Sequence, residues 1–275
     1  MPVGSLRRAD TLPTANVCCA EKVVRVDSEM MQAQTIIEDI RRKRAVTSAD
    51  GQTYPIGKHG IDAAEGRFLS QFIASRPGIT RTLEVGCAYG FSSLHITGAL
   101  AGRPSAHHII VDPFQSTDWK GIGVTNLDRA GVDFYELREE PSELALPQLV
   151  REGATFDLVF IDGWHTFDQT LVDMYFANRL IKVGGYIIVD DVSWISVSKA
   201  VSNFANYPCY RVVDGFGMLW VRALNLLGKL LKPVAETIFP RWLYDYVYRM
   251  AKYPSMVALQ KVAEDDRSFR WFRSF

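Results

Sequence analysis

From residue 62 onward the chain alternates between short, almost wholly apolar runs and longer stretches with helical spacing. Residues 82–86, 107–112, 133–137, 156–162 and 186–190 read as strands. Residues 62–75, 92–100, 125–130, 142–152, 166–180 and 196–204 read as helices. The runs FDLVFID and YIIVD show no period-two alternation, so both faces of these strands are expected to be buried. Strands alternating with helices predict an α/β fold with a parallel sheet and crossover helices on both faces. Gly184-Gly185 reads as a turn before the fifth strand. Residues 210–213 and 218–221, joined at Asp214-Gly215, are expected to close the sheet as an antiparallel pair.

The flanks have a different pattern. A helix is predicted from Asp27 or Ser28 to about Arg44, with Met30, Met31, Ile36, Ile37 and Ile40 as its apolar positions. Arg41, Arg42, Lys43 and Arg44 suit its C-terminal dipole. Residues 45–60, with Gly51, Pro55, Gly57 and Gly60, read as a loop. Beyond 222, Leu224, Leu227, Leu231, Val234 and Ile238 keep helical spacing, and Trp242, Tyr244, Tyr246 and Tyr248 follow among Arg241 and Arg249. The expected division is a tail and helix over 1–50, one domain over 51–222 and a helical extension over 223–275.

Composition excludes several classes. The chain has 275 residues and is 48% hydrophobic, too apolar to stay disordered. Lys and Arg number 31 and Asp and Glu number 31, so no cationic excess points to nucleic acid. Cys18, Cys19, Cys87 and Cys209 form neither a metal-binding spacing nor a disulfide ladder. A reducing, cytoplasmic setting is expected, and no secretory signal is read at the N-terminus. The longest uncharged stretch, 85–102, holds four glycines and is not read as a membrane span.

The chemistry gathers where strands end. LEVGCAYGFSS (83–93) places a glycine turn between a strand and a helix, the position at which open α/β sheets bind ligands. Its spacing is Gly86-x-x-x-Gly90, not the G-x-G-x-x-G of a dinucleotide loop. Glu84 precedes the first glycine by two residues. Asp112 ends the next strand, where an acid can accept two ribose hydroxyls. With these acids the loop resembles motif I of the class I S-adenosylmethionine-dependent methyltransferases. The resemblance implies a Rossmann-like methyltransferase fold, with a mostly parallel seven-stranded sheet and one antiparallel strand. It also implies a cofactor site built from Glu84, Gly86, Cys87, Ala88, Tyr89, Gly90, Ser92, Asp112, Phe114, Glu140 and Asp162.

Two further strand ends carry acids: Asp162 in IDGWH, and Asp190 with Asp191 in VDDVSW. Three carboxylates on one sheet edge are unfavourable unless a proton or cation joins them. Oxygen ligands of this kind suit Mg²⁺. Because neighbouring strand residues point oppositely, one of Asp190 and Asp191 is also open to a capping role. The stretches EGRFL, FDLVFIDGWHTFDQ and LIKVGGYIIVDDVSW resemble catechol-type and macrocin-type O-methyltransferases over about 55–222. That resemblance implies a metal held by Asp162, Asp190 and Asp191. It places His165 at the position of the family's lysine base, where histidine supplies a proton acceptor at neutral pH.

The function implied is O-methylation of a sugar, glycoside or other vicinal-diol small molecule, with Asp162 and His165 at the reaction centre. A metal-independent methyltransferase and a related oxygenase are the enzymatic alternatives. A membrane-surface protein docking through 224–250 is the non-enzymatic one. Nucleic acid is not an expected partner, and homo-oligomerisation is left open. Pocket walls are expected from 45–60, 114–125 and 193–196. His59, His95, His107 and His108 are read as structural.

Overall fold

The computed structural model describes residues 31–57, 60–215 and 255–273. Helix α1 covers 31–43 and turns its apolar stripe (Ala33, Ile37, Ile40) inward. Strands β1 (Ala45–Thr47) and β2 (Thr53–Pro55) then form an antiparallel hairpin where only loop was expected. Its turn closes through Ser48 N–H to the Gln52 carbonyl at 2.9 Å. Arg129 fastens the hairpin to the body by donating to the Thr47 and Ser48 carbonyls at 2.9 and 3.2 Å.

The main elements follow the predicted alternation. They are α2 (Ala63–Ala74), β3 (Arg81–Val85), α3 (Phe91–Leu100), β4 (His107–Val111), α4 (Ile122–Arg129), β5 (Tyr135–Arg138) and α5 (Ser142–Arg151). Then come β6 (Phe156–Ile161), α6 (Phe167–Leu180), β7 (Ile181–Val189), α7 (Ile195–Ala205), β8 (Tyr210–Asp214) and β9 (Val257–Lys261). Helix α2 starts on a capping box: Asp62 accepts from Ala64 and Glu65 N–H, and Glu65 accepts from Asp62 N–H at 2.7 Å. That box holds the Glu65 side chain at the sheet's carboxyl edge.

Seven strands form one sheet in the order β5-β4-β3-β6-β7-β9-β8, and β9 alone runs antiparallel to its neighbours. Both sheet faces are buried. Leu83, Val85, Val159 and Ile187 meet α5, α6 and α7, while Leu158, Phe160 and Ile188 meet α2 and α3. Phe156 and Phe160 are fully buried on opposite faces, and truncating such a residue costs about 3–5 kcal/mol.

Two expectations are corrected here. Strand β8 pairs antiparallel with Val257–Lys261, with Asp214 opposite Ala258, so part of the stretch read as a helical extension is a strand of the sheet. Residues 218–221 and 224–250 lie outside the described residues. Gly184-Gly185 is also not a turn between elements. It is a bulge within β7, where the pairing register jumps between Phe156–Ile181 and Leu158–Tyr186 and Gly184 adopts φ +90°.

Candidate active site

Strand register builds the site. Val85 pairs with Val111 and with Ile161, and Ile161 pairs with Val189. The next residues, Gly86, Asp112, Asp162 and Asp190, therefore leave the sheet side by side. Backbone bonds continue the ladder one step further: Gly86 N–H to the Val111 carbonyl, Asp162 N–H to that of Val85, and Asp190 N–H to that of Ile161, all at 2.8–2.9 Å. A cavity of about 850 Å³ opens above this edge.

Its floor is the glycine loop. Gly86 has φ +89°, and a Cβ there would stand 2.0 Å from the Asp162 carbonyl oxygen, so only glycine fits. Gly90 starts α3 with φ +82° against the backbone of Gly123. Asp112 locks the loop from the side. Its Oδ2 accepts from Cys87 and Ala88 N–H at 3.0 and 2.9 Å and from the Gln115 amide at 3.1 Å. Its Oδ1 accepts from Phe114 N–H at 2.9 Å. Of the predicted cofactor contacts, Gly86, Cys87, Ala88, Ser92, Asp112, Phe114 and Asp162 line the cavity.

Glu84, Tyr89, Gly90 and Glu140 are absent from that lining. Glu84 is fully buried beneath the floor, where it accepts from the Ser93 hydroxyl and pairs with His108 Nε2 at 3.0 Å. His108 Nδ1 in turn meets the Thr82 hydroxyl at 2.8 Å. Tyr89 turns into the core against Trp119. Glu140 is exposed, and the chain next to it supplies Pro141, Ser142 and Glu143 to the wall instead. Gln169 of α6 joins them, and no sequence signal marked it. The remaining wall includes Gly60, Trp119 and Trp194, from the three stretches expected to supply it, and Glu65 of α2.

At the mouth, Asp162, His165 and Asp191 offer ligand atoms that all lie within 4.8 Å of one another. His165 Nε2 stands 3.8 Å from Asp162 Oδ1 and 3.6 Å from Asp191 Oδ2, too far for hydrogen bonds. His165 and Asp191 both have left-handed backbones, φ 58° and 53°, which swing their side chains toward Asp162. Ser196 fixes the His165 carbonyl at 2.6 Å, and the imidazole lies against Trp194 with centroids 5.6 Å apart. Asp190 stands outside this trio. It is buried, and its Oδ1 accepts from Asp191 N–H at 2.8 Å. Burial, with the Asp190 and Asp191 charges next in weight, pushes the Asp162 carboxyl well above the usual range. Burial and Glu65 do the same to Asp190. A carboxylate group this crowded, with an imidazole facing it, has the donor set a divalent cation would satisfy.

Among the described residues no helix is long and apolar enough to cross a membrane, and Cys87 and Cys209 are free, buried thiols. The family profile described as "Methyltransferase domain" matches residues 83–192. Caffeoyl-CoA O-methyltransferase 1 of Eucalyptus globulus is 29% identical over 164 residues, which is 57% of this chain and 61% of that protein. The caffeoyl-CoA O-methyltransferase of Eucalyptus gunnii matches at 29% over 57% of this chain and 60% of its own length. The chain thus spans about three fifths of the length of the curated relatives it matches. Among solved structures, the O-methyltransferase from Bacillus cereus in complex with SAH superposes with TM-score 0.52 at 18% identity, over 68% of this chain and 82% of that one. The O-methyltransferase TomG of Streptomyces achromogenes, involved in tomaymycin synthesis and in complex with SAM, gives TM-score 0.55 at 17% identity, over 84% and 90%. Glycine loop and strand order agree with these matches: residues 83–192 resemble a methyltransferase domain, and the sheet has the class I methyltransferase fold.

Proposed function

We propose that the chain is an S-adenosylmethionine-dependent O-methyltransferase that uses a divalent cation and takes a hydroxyl of a vicinal-diol small molecule, such as a sugar, glycoside or catechol, as acceptor. One observation carries this reading: Asp162, His165 and Asp191 converge at the mouth of a cavity floored by the Gly86–Gly90 loop. The relatives' names support methyl transfer to oxygen.

Asp112 is placed to hold the cofactor's ribose. Its Oδ2 is spent on the loop, but Oδ1 accepts only Phe114 N–H and keeps capacity for a hydroxyl. Glu84 acts from below, fixing Ser93 at the start of α3 rather than touching the cofactor. Asp162 and Asp191 would hold the cation, and Asp190 keeps the Asp191 backbone in place. A cation held there would lower the pKa of the acceptor hydroxyl and orient it. His165 Nε2 takes the hydroxyl proton. S-Adenosylmethionine would supply the methyl carbon to the deprotonated oxygen, its carbon–sulfur bond giving way to leave a neutral thioether. Proximity in the cavity is the larger part of the rate gain.

The test is calorimetry with S-adenosylhomocysteine, then methyl-transfer assays with a catechol and a cis-diol methyl glycoside, each with and without Mg²⁺. Binding of S-adenosylhomocysteine and Mg²⁺-dependent transfer to either acceptor are expected. No binding overturns the cofactor, and full turnover after exhaustive metal removal overturns the cation.

A further inference from the structure

Five of the large apolar side chains that the described residues expose stand around the cavity's mouth. Trp164 and Trp194, 66% and 54% exposed, both line it. Phe167, Ile195 and Leu144 lie just outside the lining, in the first turns of α6, α7 and α5, with Leu144 and Ile195 59% and 49% exposed. The three helix starts are tied together. The Ser196 hydroxyl donates to the His165 carbonyl at 2.6 Å, and the Gln169 amide nitrogen lies 3.2 Å from Glu143 Oε2. Contiguous apolar patches rimmed by polar groups mark contact surfaces.

The sheet brings a second feature to the same edge. Asp214 pairs with Ala258 and Val189 with Val257, so β8 runs out and β9 runs in on the edge where β7 ends. Ser255 is anchored at the cavity wall: its carbonyl accepts Val192 N–H at 2.8 Å, and its hydroxyl donates to Glu65 at 2.6 Å. The thirty-nine residues between Gly215 and Ser255 therefore have both ends on the collar's edge of the sheet. Their sequence carries Leu224, Leu227, Leu231, Val234 and Ile238 at spacings of three and four, with Lys229 and Lys232 between them and tyrosines among Arg241 and Arg249 beyond. Apolar positions at that spacing, accompanied by basic and aromatic side chains, are the composition of a segment that rests in a bilayer interface.

We infer that this edge docks on a phospholipid bilayer, with the collar of Trp164, Phe167, Trp194, Ile195 and Leu144 seated in the headgroup layer and the mouth facing it. Indole rings favour that depth. The ammonium groups of phosphatidylcholine suit the acids of the opening, Asp191 and Glu143, and the indole faces beside them. A second copy of the chain fits worse, because a two-fold contact would set one acidic mouth against another. The inference goes beyond the methyl-transfer reading and does not depend on it, since lipid binding is read with no cofactor present.

The experiment is flotation of the full chain with vesicles of pure phosphatidylcholine and of equimolar phosphatidylcholine and phosphatidylglycerol, at low and high salt. The wild type should float with both, and its binding to phosphatidylcholine should persist in high salt because the contact is apolar. Leu144→Ser combined with Ile195→Ser should partition about tenfold more weakly with an unchanged melting temperature, as two exposed side chains give up their burial in lipid. Phe167→Ser, at the third helix start, serves if the pair fails to fold. Phe269→Ser is the control. That residue is 93% exposed past the far end of β9, near Trp271, which packs on Tyr207 with centroids 5.1 Å apart, and its loss should leave partitioning unchanged. No flotation of the wild type, flotation only with the phosphatidylglycerol vesicles at low salt, or equal partitioning of wild type and collar variants overturns the inference. A loss in Phe269→Ser as large as theirs overturns it too.

Discussion

The two halves of the cavity handle negative charge in opposite ways. In the glycine-loop half, Asp112 accepts four hydrogen bonds within 3.1 Å and Glu84 lies buried between Ser93 and His108. In the mouth half, the Asp162 and Asp191 carboxylates receive no hydrogen bond from the described residues, and His165 Nε2 stays 3.6–3.8 Å away. One half draws most of its hydrogen bonds from the chain's own donors, with only Glu84 Oε1 and Gln115 Oε1 buried without a partner there among the described residues, so it exists before any ligand arrives. The other is a set of repelling groups that left-handed backbones at His165 and Asp191 hold together at an energetic cost. A preformed cradle beside an unsatisfied cluster is what a site needs when one ligand is to be bound and a second, charged one is to do work.

The sharpest way to break this comparison is to remove the mouth's charge and leave the cradle alone. Asp162→Ala, or exhaustive chelation, should lower methyl transfer by about 1000-fold, since cation-assisted stabilisation is worth several kcal/mol. Affinity for S-adenosylhomocysteine should fall far less. If both fall together, the two halves are one unit and the comparison is wrong. Next in size is the converse. Asp112→Ala releases the Cys87 and Ala88 N–H groups together and should weaken S-adenosylhomocysteine binding by about 100-fold, as loss of a charged multi-bond acceptor costs roughly 2–3 kcal/mol. Isothermal calorimetry reads this directly, and Mg²⁺ binding should be little changed.

The glycine-loop half was more legible in the sequence than the mouth, for a physical reason. Doubly buried parallel strands leave unbroken apolar runs, and the residue that ends each run sits at the ligand edge by register alone. LEVG, IIVD, VFID and IIVD could thus be aligned without coordinates. What side chains do beyond the edge depends on turn conformation. The exchange of Asp190 for His165 in the converging trio follows from left-handed backbones at His165 and Asp191, a conformation uncommon outside glycine though Asp and His adopt it more readily than most residues. Glu140 missed the cavity because α5 begins just after it, and the helix start presents Ser142 and Glu143. Strand β9 escaped because its partner β8 lies more than forty residues back, beyond the reach of local turn signals.

Acid separates the cradle from its foundation. Helix α3, which the glycine loop starts, carries His95, 7% exposed, with Nδ1 2.9 Å from the Ser70 hydroxyl and Nε2 unpartnered against Gly66. Burial, with Arg41 and Arg67 nearby, pushes its pKa down from 6.5 to about 4. The folded chain keeps this imidazole neutral while the unfolded chain protonates it near its ordinary value. Its contribution is therefore complete above about pH 6.5 and is lost as pH falls from there toward about 4. Urea unfolding at pH 5 should show about 2 kcal/mol less stability than at pH 7 from this group, at about 1.4 kcal/mol per pH unit. His95→Asn should flatten that slope. An unchanged slope would mean that the α2–α3 packing beneath the loop does not depend on a neutral His95.

The smallest effect has the least obvious sign. Asp190 is buried, and burial and the charge of Glu65 resist its ionisation. It adds to the repulsion on Asp162 but stands outside the trio around His165. Asp190→Asn keeps an oxygen to accept Asp191 N–H and removes the charge. The variant should therefore be more stable than the wild type without cation, by about 1 kcal/mol, which for a chain this long is roughly 2–4 °C in melting temperature. Added Mg²⁺ should narrow the gap, because a cation relieves in the wild type the same repulsion the substitution removes. A melting temperature that falls in the variant would mean that Asp190 is held by donors as Asp112 is, and the contrast between the two halves would end at Asp162 and Asp191.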